Sequence, residues 1–216
     1  MKPISMHSLF SKLVCTIALI FGLSFSPAAF ADLTLATQST DFTKGGKQQE
    51  DTWLISKGRA QYGSMILLPG EGKVITLFTD QKIFIAAPLF KGPVYPSHQV
   101  WVKTGKTEKI AGFDAEQWVQ KYKKKPDQIS DEVWIGGGAG LGKQYTDVFE
   151  GQMALINPII NAVGFDLLKQ GLALRYIQYD LEAKPLTTIT ATKVDTAELD
   201  PALFAPPTDY TEKTGR

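Results

Sequence analysis

Residues 100–135 constrain the fold most, because short segments of alternating apolar and polar residues follow one another there with only turn residues between them. Val100 and Val102 begin the first segment, and the Thr104-Gly105-Lys106 sequence after them predicts a turn. Gly112 interrupts the next segment, where a missing side chain is typical of a bulge. This spacing predicts consecutive antiparallel strands. Three of the four tryptophans of the chain lie in them, so we expect these strands to wall the interior.

The same alternation recurs before and after this stretch, with connections of only a few residues. Such short connections favour an antiparallel arrangement of about nine to eleven strands. The predicted fold class is mainly β (α+β): a strongly curved antiparallel sheet that forms an incomplete barrel, with a late helical insertion as its lid or plug. The other predicted strands are residues 33–42, 52–62, 65–68, 74–79, 82–87, 172–180 and 186–194.

A helical insertion is predicted for residues 143–170, because apolar side chains recur there with helical spacing. Pro158 falls inside this pattern and lacks the backbone N–H that a helix interior needs, so we expect a kink or a break there. The segment before the helix is almost all glycine, which lowers the cost of unusual backbone angles and predicts a hinge between sheet and helix. The hinge glycines are Gly136, Gly137, Gly138, Gly140 and Gly142.

Residues 1–31 have the pattern of a cleaved export signal. Lys2 and Lys12 form the positive region, residues 13–25 form the apolar core, and Ala29-Phe30-Ala31 is a small-x-small cleavage site. The apolar run is too short to span a bilayer comfortably. We therefore expect a periplasmic or secreted protein that is cleaved near Ala31. Residues 32–210 then form a single domain, and we expect a monomer in which residues 211–216 are disordered.

Charge and composition exclude several classes of function. Removal of residues 1–31 takes two of the 23 basic residues and none of the 22 acidic ones, which leaves a net charge of about −1. Such a chain has no general attraction to nucleic acid. Cys15 is the only cysteine, and His98 is the only histidine after the signal, which rules out zinc–thiolate and multi-histidine metal sites. We expect no metal, no cofactor and no nucleic-acid partner.

The segment from Gly137 to Lys143 has the glycine and lysine spacing of a phosphate-binding loop. However, Gln144 stands where coordination of magnesium needs a serine or threonine hydroxyl. No parallel β–α–β pattern surrounds the segment either. A flexible connection from the sheet to the helix is the better interpretation.

Two further patterns are candidates for catalysis, and we assign neither to it. Ser97 and His98 are adjacent in sequence, where a nucleophile and its base rarely face each other, and the chain has no G-x-S-x-G elbow. Neighbouring carboxylates are more often a solvated face than an acid–base pair. The carboxylate pairs are Asp114 with Glu116 and Asp131 with Glu132. We expect that the protein is not an enzyme.

The only run of charges is Lys121-Tyr122-Lys123-Lys124-Lys125, which stands directly before Pro126. An exposed hairpin turn is the simpler interpretation. The alternative is peripheral membrane contact, to which Lys121, Lys123, Lys124 and Lys125 would each contribute about 1 kcal/mol near an anionic surface.

The large apolar side chains raise the question of what fills the concave side of the sheet. A sheet of about ten strands curls, and one interrupted helix is little material to fill it. Each large aromatic side chain carries ~150–250 Å², and several of them facing an empty cavity would cost more than a typical stability of roughly 5–15 kcal/mol. Either the helix plugs the cavity or an apolar ligand occupies it. The candidate lining residues are Trp53, Phe78, Phe84, Trp101, Trp118, Trp134, Phe149, Met153, Ile156 and Ile160.

Several motifs together resemble a family of exported domains, the domain of unknown function 4412. The central motif, at residues 103–118, is K-T-G-K-T-E-K-I-A-G-F-D-A-E-Q-W. The others are W-L-I-S-K-G-R at 53–59, V-W-I at 133–135, A-L-R at 173–175 and A-E-L-D-P-A-L-F-A-P-P-T-D-Y at 197–210.

This family looks like a relative of the outer-membrane lipoprotein carriers, in which a curved antiparallel sheet forms an incomplete barrel and helices lid an apolar cavity that receives acyl chains. The resemblance implies that fold and, as partners, lipid or lipoprotein acyl chains. It implies no catalytic residues.

The leading hypothesis from the sequence is a non-enzymatic binding protein that holds a lipid or other apolar ligand between the curved sheet and the helix. The second is an envelope scaffolding or protein-interaction module whose helix fills the space above the sheet. The two hypotheses differ in whether room for a ligand is left on the sheet.

Overall fold

The computed structural model describes residues 32–89, 100–149 and 158–213. The predicted export signal, Ser97, His98, Met153 and Ile156 lie outside these ranges. The described strands are β1 (Leu33–Asp41), β2 (Lys47–Ser56), β3 (Arg59–Tyr62), β4 (Met65–Leu68), β5 (Lys73–Phe78), β6 (Ile83–Pro88), β7 (Val102–Ile110), β8 (Phe113–Tyr122), β9 (Lys125–Gly136), β10 (Leu172–Tyr179), β11 (Pro185–Asp195) and β12 (Thr211–Glu212). The described helices are α1 (Gly138–Phe149), α2 (Pro158–Val163) and α3 (Phe165–Leu168).

All of these strands belong to one sheet of 12 strands, in the order β12-β6-β5-β4-β3-β2-β1-β11-β10-β9-β8-β7. Neighbouring strands are antiparallel, except that β12 lies parallel to β6. The sheet is curved and does not close, and its helices follow β9, late in the chain. The predicted fold class, a mainly β incomplete barrel with a late helical insertion, is confirmed.

The pairing register assigns each strand residue to one of two faces, because successive side chains of a strand point to opposite sides of the sheet. Trp53 lies in register with Leu35 of β1 and Tyr62 of β3, and its ring contacts Phe149 of α1. We call this side of the sheet the helix face and the other side the opposite face. At the centre of the helix face the side chains are fully buried, as Leu35 is, because α1 packs over β2 and β10.

The opposite face carries its own apolar cluster where the chain returns after β11. Ile66, Leu68 and Ile75 project from β4 and β5, and Phe204 packs on them from a 3-10 turn at Pro201–Phe204. The guanidinium of Arg59 lies 5.1 Å from the centre of the Phe204 ring, a cation–π contact. This cluster explains why the proline-rich segment after β11 has an ordered place.

The predicted turn at Thr104-Gly105-Lys106 and the predicted bulge at Gly112 were both placed wrongly. The turn between β7 and β8 is formed by Ala111 and Gly112, which both have positive φ (47° and 88°). Gly105, which we expected in a turn, lies inside β7, where the register shifts between Lys103 and Thr107 as at a bulge. Gly105 and Gly112 therefore have the reverse of their expected roles, since either a turn or a bulge accounts for a glycine with positive φ.

The segment predicted as one strand over residues 52–62 is a hairpin of β2 and β3. Its turn is Lys57-Gly58, with φ of 48° and 75°. Two central residues with positive φ are the geometry of the tight turn that suits the twist of a hairpin. Alternation continues through such a turn, so the pattern alone did not reveal it.

Close backbone approaches explain several glycines between sheet and helix. A Cβ on Gly142 would stand 2.3 Å from the carbonyl oxygen of Leu168 and 2.6 Å from the backbone nitrogen of Gly171. A Cβ on Gly136 would stand 2.8 Å from the carbonyl oxygen of Asp114. Helix α1 begins at Gly138, before the predicted start at residue 143, and Pro158 is the first residue of α2. The hinge stays a prediction, but packing alone requires two of its glycines.

Part of the tail segment that we expected to be disordered lies in the described part of the chain. Thr211 and Glu212, placed in the predicted disordered segment, form β12 beside β6. The backbone N–H groups of Thr211 and Lys213 donate to the carbonyl oxygens of Lys82 and Phe84. The edge of β6 satisfies these backbone groups, which is the reason that the tail is held. Residues 214–216 lie outside the described part of the chain.

We expect Gly142→Ala to lower the free energy of unfolding by several kcal/mol, because its Cβ would meet backbone atoms that cannot move independently. Gly140→Ala is the matched control in the same helix. A Cβ there meets no atom within 4 Å, so this change is neutral or stabilises by about 0.5–1 kcal/mol. Urea denaturation of both variants measures the difference. Equal stabilities would contradict the packing explanation.

Candidate functional site

The centre of the helix face is a filled aromatic core. The Trp53 and Tyr62 rings stack at 4.3 Å, and the Phe149 ring stands edge-on to Trp53 at 5.1 Å. Tyr145 lies 5.2 Å from Phe149, and Ile160 of α2 joins the same buried cluster. Of the predicted lining residues, Trp53, Phe149 and Ile160 are thus packed against one another rather than around an open space.

Trp101 and Trp118 lie at the border of this core. The indole N–H of Trp101 donates to the carbonyl oxygen of Val163, at the end of α2, over 3.0 Å. Trp118 lies in register with Val133, which places it on the helix face. Both side chains are half-buried and pack against the core cluster. They remain candidates for the edge of a ligand site.

Phe84 and Trp134 are removed from the candidate lining set. Phe84 pairs in register with Leu77 and packs on the opposite-face cluster. Trp134 pairs with Arg175, whose guanidinium lies 5.9 Å from its ring centre. Both side chains therefore lie on the opposite face, and a space between the sheet and the helices cannot be lined from there.

A strip of mostly apolar side chains on β4, β5 and β6 extends the helix face beyond the filled core. It consists of three cross-strand rows, in which Val74 pairs with Ala87, Thr76 with Ile85, and Phe78 with Ile83. Most of these side chains are half-buried, and Phe78 is 37% exposed. We call this set the β4–β6 strip, and its members are Met65, Val74, Thr76, Phe78, Ile83, Ile85 and Ala87.

A groove of about 350 Å³ adjoins the β4–β6 strip at Met65. It lies between β2 and the turn from β3 to β4. The lining is mixed, since it includes apolar Met65 and two carboxylates. The lining residues are Glu50, Asp51, Thr52, Tyr62, Gly63, Ser64 and Met65.

Two tyrosines on the helix face donate hydrogen bonds to carboxylates. The Tyr62 hydroxyl donates to Asp51 over 2.7 Å, and the Tyr176 hydroxyl donates to Asp131 over 2.6 Å. Burial raises the pKa of Tyr62 to about 12, and the hydrogen bond and charge of Asp51 add to the shift. Burial and Asp131 likewise raise the pKa of Tyr176. Both phenols are therefore neutral donors at physiological pH and not acid–base groups.

The residues considered for catalysis take structural roles. Glu132 accepts hydrogen bonds from the Trp134 indole (2.6 Å) and the Tyr179 hydroxyl (3.3 Å). Glu116 is paired with Lys103 at 2.7 Å. Lys143, the lysine of the phosphate-loop pattern, lies in α1 and pairs with Asp147 one turn on. Among the described residues, no three His, Cys, Asp or Glu side chains are grouped so that they could hold a metal ion.

The sequence did not single out Met65, Ile83 and Ile85 of the strip. The sequence showed that β4–β6 carry apolar side chains on both faces. It did not show which of the two faces the helices leave uncovered. Position relative to the helices is a tertiary property. The short strands and the turns between them predicted only that neighbouring strands pair with one another.

A family model described as a domain of unknown function, DUF4412, matches residues 38–210. The match covers more than half of the chain and includes the strip, the groove and the helices. The chain belongs to the DUF4412 family. The resemblance drawn from the sequence motifs is thereby confirmed.

This DUF4412 chain is also similar to solved structures at low sequence identity. An uncharacterized conserved protein from Thermus thermophilus is 11% identical, with a TM-score of 0.45 over 93% of this chain and 99% of that chain. The MucA/MucB complex of Pseudomonas aeruginosa contains a chain that is 10% identical, with a TM-score of 0.39, and the match covers 81% of this chain and 55% of that one.

An outer membrane lipoprotein-sorting protein domain from Vibrio parahaemolyticus is 10% identical, with a TM-score of 0.26 over 82% of this chain and 90% of that chain. No curated protein sequence matches the DUF4412 chain. None of its described helices is long and apolar enough to cross a membrane. At these levels of similarity, the solved structures assign neither a ligand nor a function to the DUF4412 chain.

We expect Asp51→Asn to lower the pKa of Tyr62 from about 12 toward its ordinary value near 10. A carboxylate beside a phenol disfavours the phenolate, and the amide removes that charge. Because the folded-state pKa is raised, the stabilisation from Tyr62 is fully present below pH ~10 and is lost as the pH rises through about 12. Carbon-13 NMR of labelled tyrosine rings measures the titration.

The control for this titration is Asp80→Asn, a change in the exposed turn between β5 and β6. It leaves the pKa of Tyr62 where it is. A Tyr62 that titrates identically in the Asp51→Asn protein and in the native chain would contradict the hydrogen bond.

Proposed function

We propose that this chain is a non-enzymatic periplasmic or secreted binding protein for a lipid or another ligand with an apolar chain. The ligand lies along the β4–β6 strip. One observation carries the proposal: an apolar strip of the helix face remains half-exposed directly beside a filled core. The export pattern of residues 1–31 supports the location, and cleavage near Ala31 is part of the proposal.

The strip has the shape of a track for an extended hydrocarbon chain. Its three rows are spaced two residues apart along each strand, so it is about 14 Å long. Each methylene group that leaves water on such a surface contributes about 0.8 kcal/mol. The side chains of Ile83, Ile85 and Met65 form the floor, and Phe78 stands at one end of it. Lipid and lipoprotein acyl chains are the ligands that match this surface.

The groove next to Met65 is the place for the polar end of the ligand. Glu50 and Asp51 line it, together with Ser64. Carboxylates repel an anionic head group and attract donors. A ligand whose head group is neutral or cationic, with hydroxyl or amino donors, therefore fits the groove better than a phosphate monoester.

Binding along the strip does not require the predicted hinge to open. The core beneath α1, formed by Trp53, Tyr145 and Phe149, stays closed, and the strip lies to one side of it. The glycine segment then positions α1 rather than gating a cavity, because Gly142 packs against Gly171 and the carbonyl oxygen of Leu168.

The direct test is extraction of the mature protein, purified from its native host without detergent, with organic solvent. We expect mass spectrometry to detect lipid in stoichiometric amount. We also expect the lipid-free protein to enhance the fluorescence of an apolar probe. If the protein carries no lipid and takes up no probe while remaining folded by circular dichroism, the proposal is wrong.

We expect Phe78→Glu to weaken probe binding about tenfold or more, because a carboxylate at the end of the strip repels an apolar chain and loses an aromatic contact. Leu203→Glu is the matched control. Both side chains are 37% exposed, but Leu203 lies in the 3-10 turn over the opposite face. A fluorescence titration compares the two. Equal losses in both variants would place the probe elsewhere.

The filled core favours a second candidate, a protein-interaction or scaffolding module of the envelope. Trp53, Tyr62 and Phe149 pack as the interior of a stable domain does, which needs no ligand. A constant stoichiometric protein partner in crosslinked native envelopes, together with absence of lipid, would decide in its favour.

A further inference from the structure

The strand order places five hairpin turns at one end of the sheet. Because β1 and β11 are antiparallel neighbours, the β1–β2 turn lies at the same end as the β10–β11 turn. The β3–β4, β5–β6 and β8–β9 turns follow there by the same alternation, and β7 also begins there. We call this the hairpin end, and it comprises residues 41–47, 63–64, 78–82, 100–102, 121–129 and 180–184.

Most of the exposed large apolar side chains in the described part of the molecule lie at the hairpin end. Six of the seven are there, and only Leu203 is elsewhere. Soluble proteins scatter such residues over the surface, so their concentration at one end calls for an explanation. The six are Phe42 (47% exposed), Phe78 (37%), Val100 (75%), Val102 (53%), Ile129 (37%) and Leu181 (51%).

The other end of the sheet has no such character. Its turns are residues 57–58, 69–72, 111–112 and 136–137. They contain no exposed large apolar side chain, and their charges, Lys57 and Glu71, cancel. Exposed apolar side chains are therefore not a general property of the turns in this fold, and they distinguish the hairpin end from the other end.

The hairpin end is also positively charged, although the whole chain has a formal net charge of only +1. It contains eight lysines and five carboxylates. Three of the lysines are engaged in ion pairs, Lys44 with Asp41, Lys82 with Asp209 and Lys184 with Glu182. The tip of the β8–β9 hairpin carries four exposed lysines without an ion pair to any described residue. These are Lys121, Lys123, Lys124 and Lys125.

The lysines and the apolar tips belong to one surface. Lys121 pairs in register with Ile129 across the β8–β9 hairpin. The Tyr122 hydroxyl donates to the carbonyl oxygen of Tyr179 over 2.5 Å, which holds this hairpin against the β10–β11 hairpin, whose turn presents Leu181. Two adjoining hairpins thus bring apolar tips and lysines onto one surface, with the lysines concentrated on the β8–β9 hairpin, whereas Leu181 lies between Asp180 and Glu182.

We infer that the hairpin end docks on an anionic phospholipid membrane surface. The lysines face the lipid phosphates, and the apolar tips enter the boundary between head groups and acyl chains. The spacing of the tips favours a membrane over a protein. From β5 to β9 the tips span seven strand spacings, about 34 Å along the sheet, whereas a protein interface needs a contiguous centre of packed side chains. A fluid bilayer accepts separate tips.

Membrane docking shares Phe78 with the β4–β6 strip and residues 63–64 with the groove, but five of its six apolar tips and the four lysines of the β8–β9 tip lie outside both, so the two proposals can be tested separately. A protein that binds vesicles but extracts no lipid would retain the docking surface and lose the proposed function. A protein that carries lipid but ignores vesicles would do the reverse.

Sedimentation with vesicles tests the docking surface in the mature chain. We expect binding to vesicles of phosphatidylcholine and phosphatidylglycerol, weaker binding at high salt, and little binding to phosphatidylcholine alone. The variant K121Q/K123Q/K124Q/K125Q loses affinity by about a hundredfold or more. The matched control, K57Q/K73Q/K106Q/K109Q, changes four exposed lysines away from the hairpin end and keeps most of the affinity.

Depth of insertion separates a membrane from other partners. We expect Leu181→Trp to show quenching of its tryptophan fluorescence by brominated phospholipid, and Leu203→Trp to show no quenching beyond that of the native tryptophans. Binding through charge alone would leave Leu181→Trp unquenched and overturn the inference. Absence of vesicle binding, or equal losses in the two quadruple variants, would overturn it as well, and a protein ligand of the hairpin end would then take its place.

Discussion

The contact between Phe149 and the stacked rings of Trp53 and Tyr62 decides how the rest of the molecule is arranged. It fixes the end of α1 over β2, near the middle of the sheet. Burial of three aromatic rings contributes several kcal/mol at roughly 25 cal/mol per Å², so the helix has one preferred position on the sheet. Strands β4 to β6 lie to one side of that position, and they keep an apolar face that α1 does not cover. The fold thereby stabilises its centre and leaves a surface beside it.

Much of the architecture could be predicted from the sequence, since alternation and short connections determine strand number and direction. The errors share a physical cause. Gly105 and Gly112 both have positive φ, and a glycine signals that conformation without saying whether a turn or a bulge requires it. Alternation likewise fails to say which face the helices cover. For that reason Trp134, which meets Arg175 on the opposite face, looked like a cavity residue.

The free edge of the sheet at β7 has features that oppose pairing with another chain. Its register is broken near Gly105, and Lys106 and Lys109 are exposed along it. A bulge and lysines on an edge strand are the usual obstacles to strand addition. The ion pair of Arg175 with Glu108, at 2.8 Å, also holds β7 to the body of the sheet. Association through this edge is therefore disfavoured, and the exposed apolar side chains of the hairpin end need a different explanation.

The two proposed surfaces meet at one residue. Phe78 closes the last row of the β4–β6 strip, opposite Ile83, and it also belongs to the hairpin end. If the hairpin end rests on a bilayer, the strip opens toward the acyl chains. The three rows follow one another along β5, and the last row lies next to the turn that follows Phe78. An apolar ligand could then pass between bilayer and strip without crossing water, where exposure of each methylene costs about 0.8 kcal/mol. The arrangement lowers the barrier to exchange while the aromatic core beneath α1 stays intact.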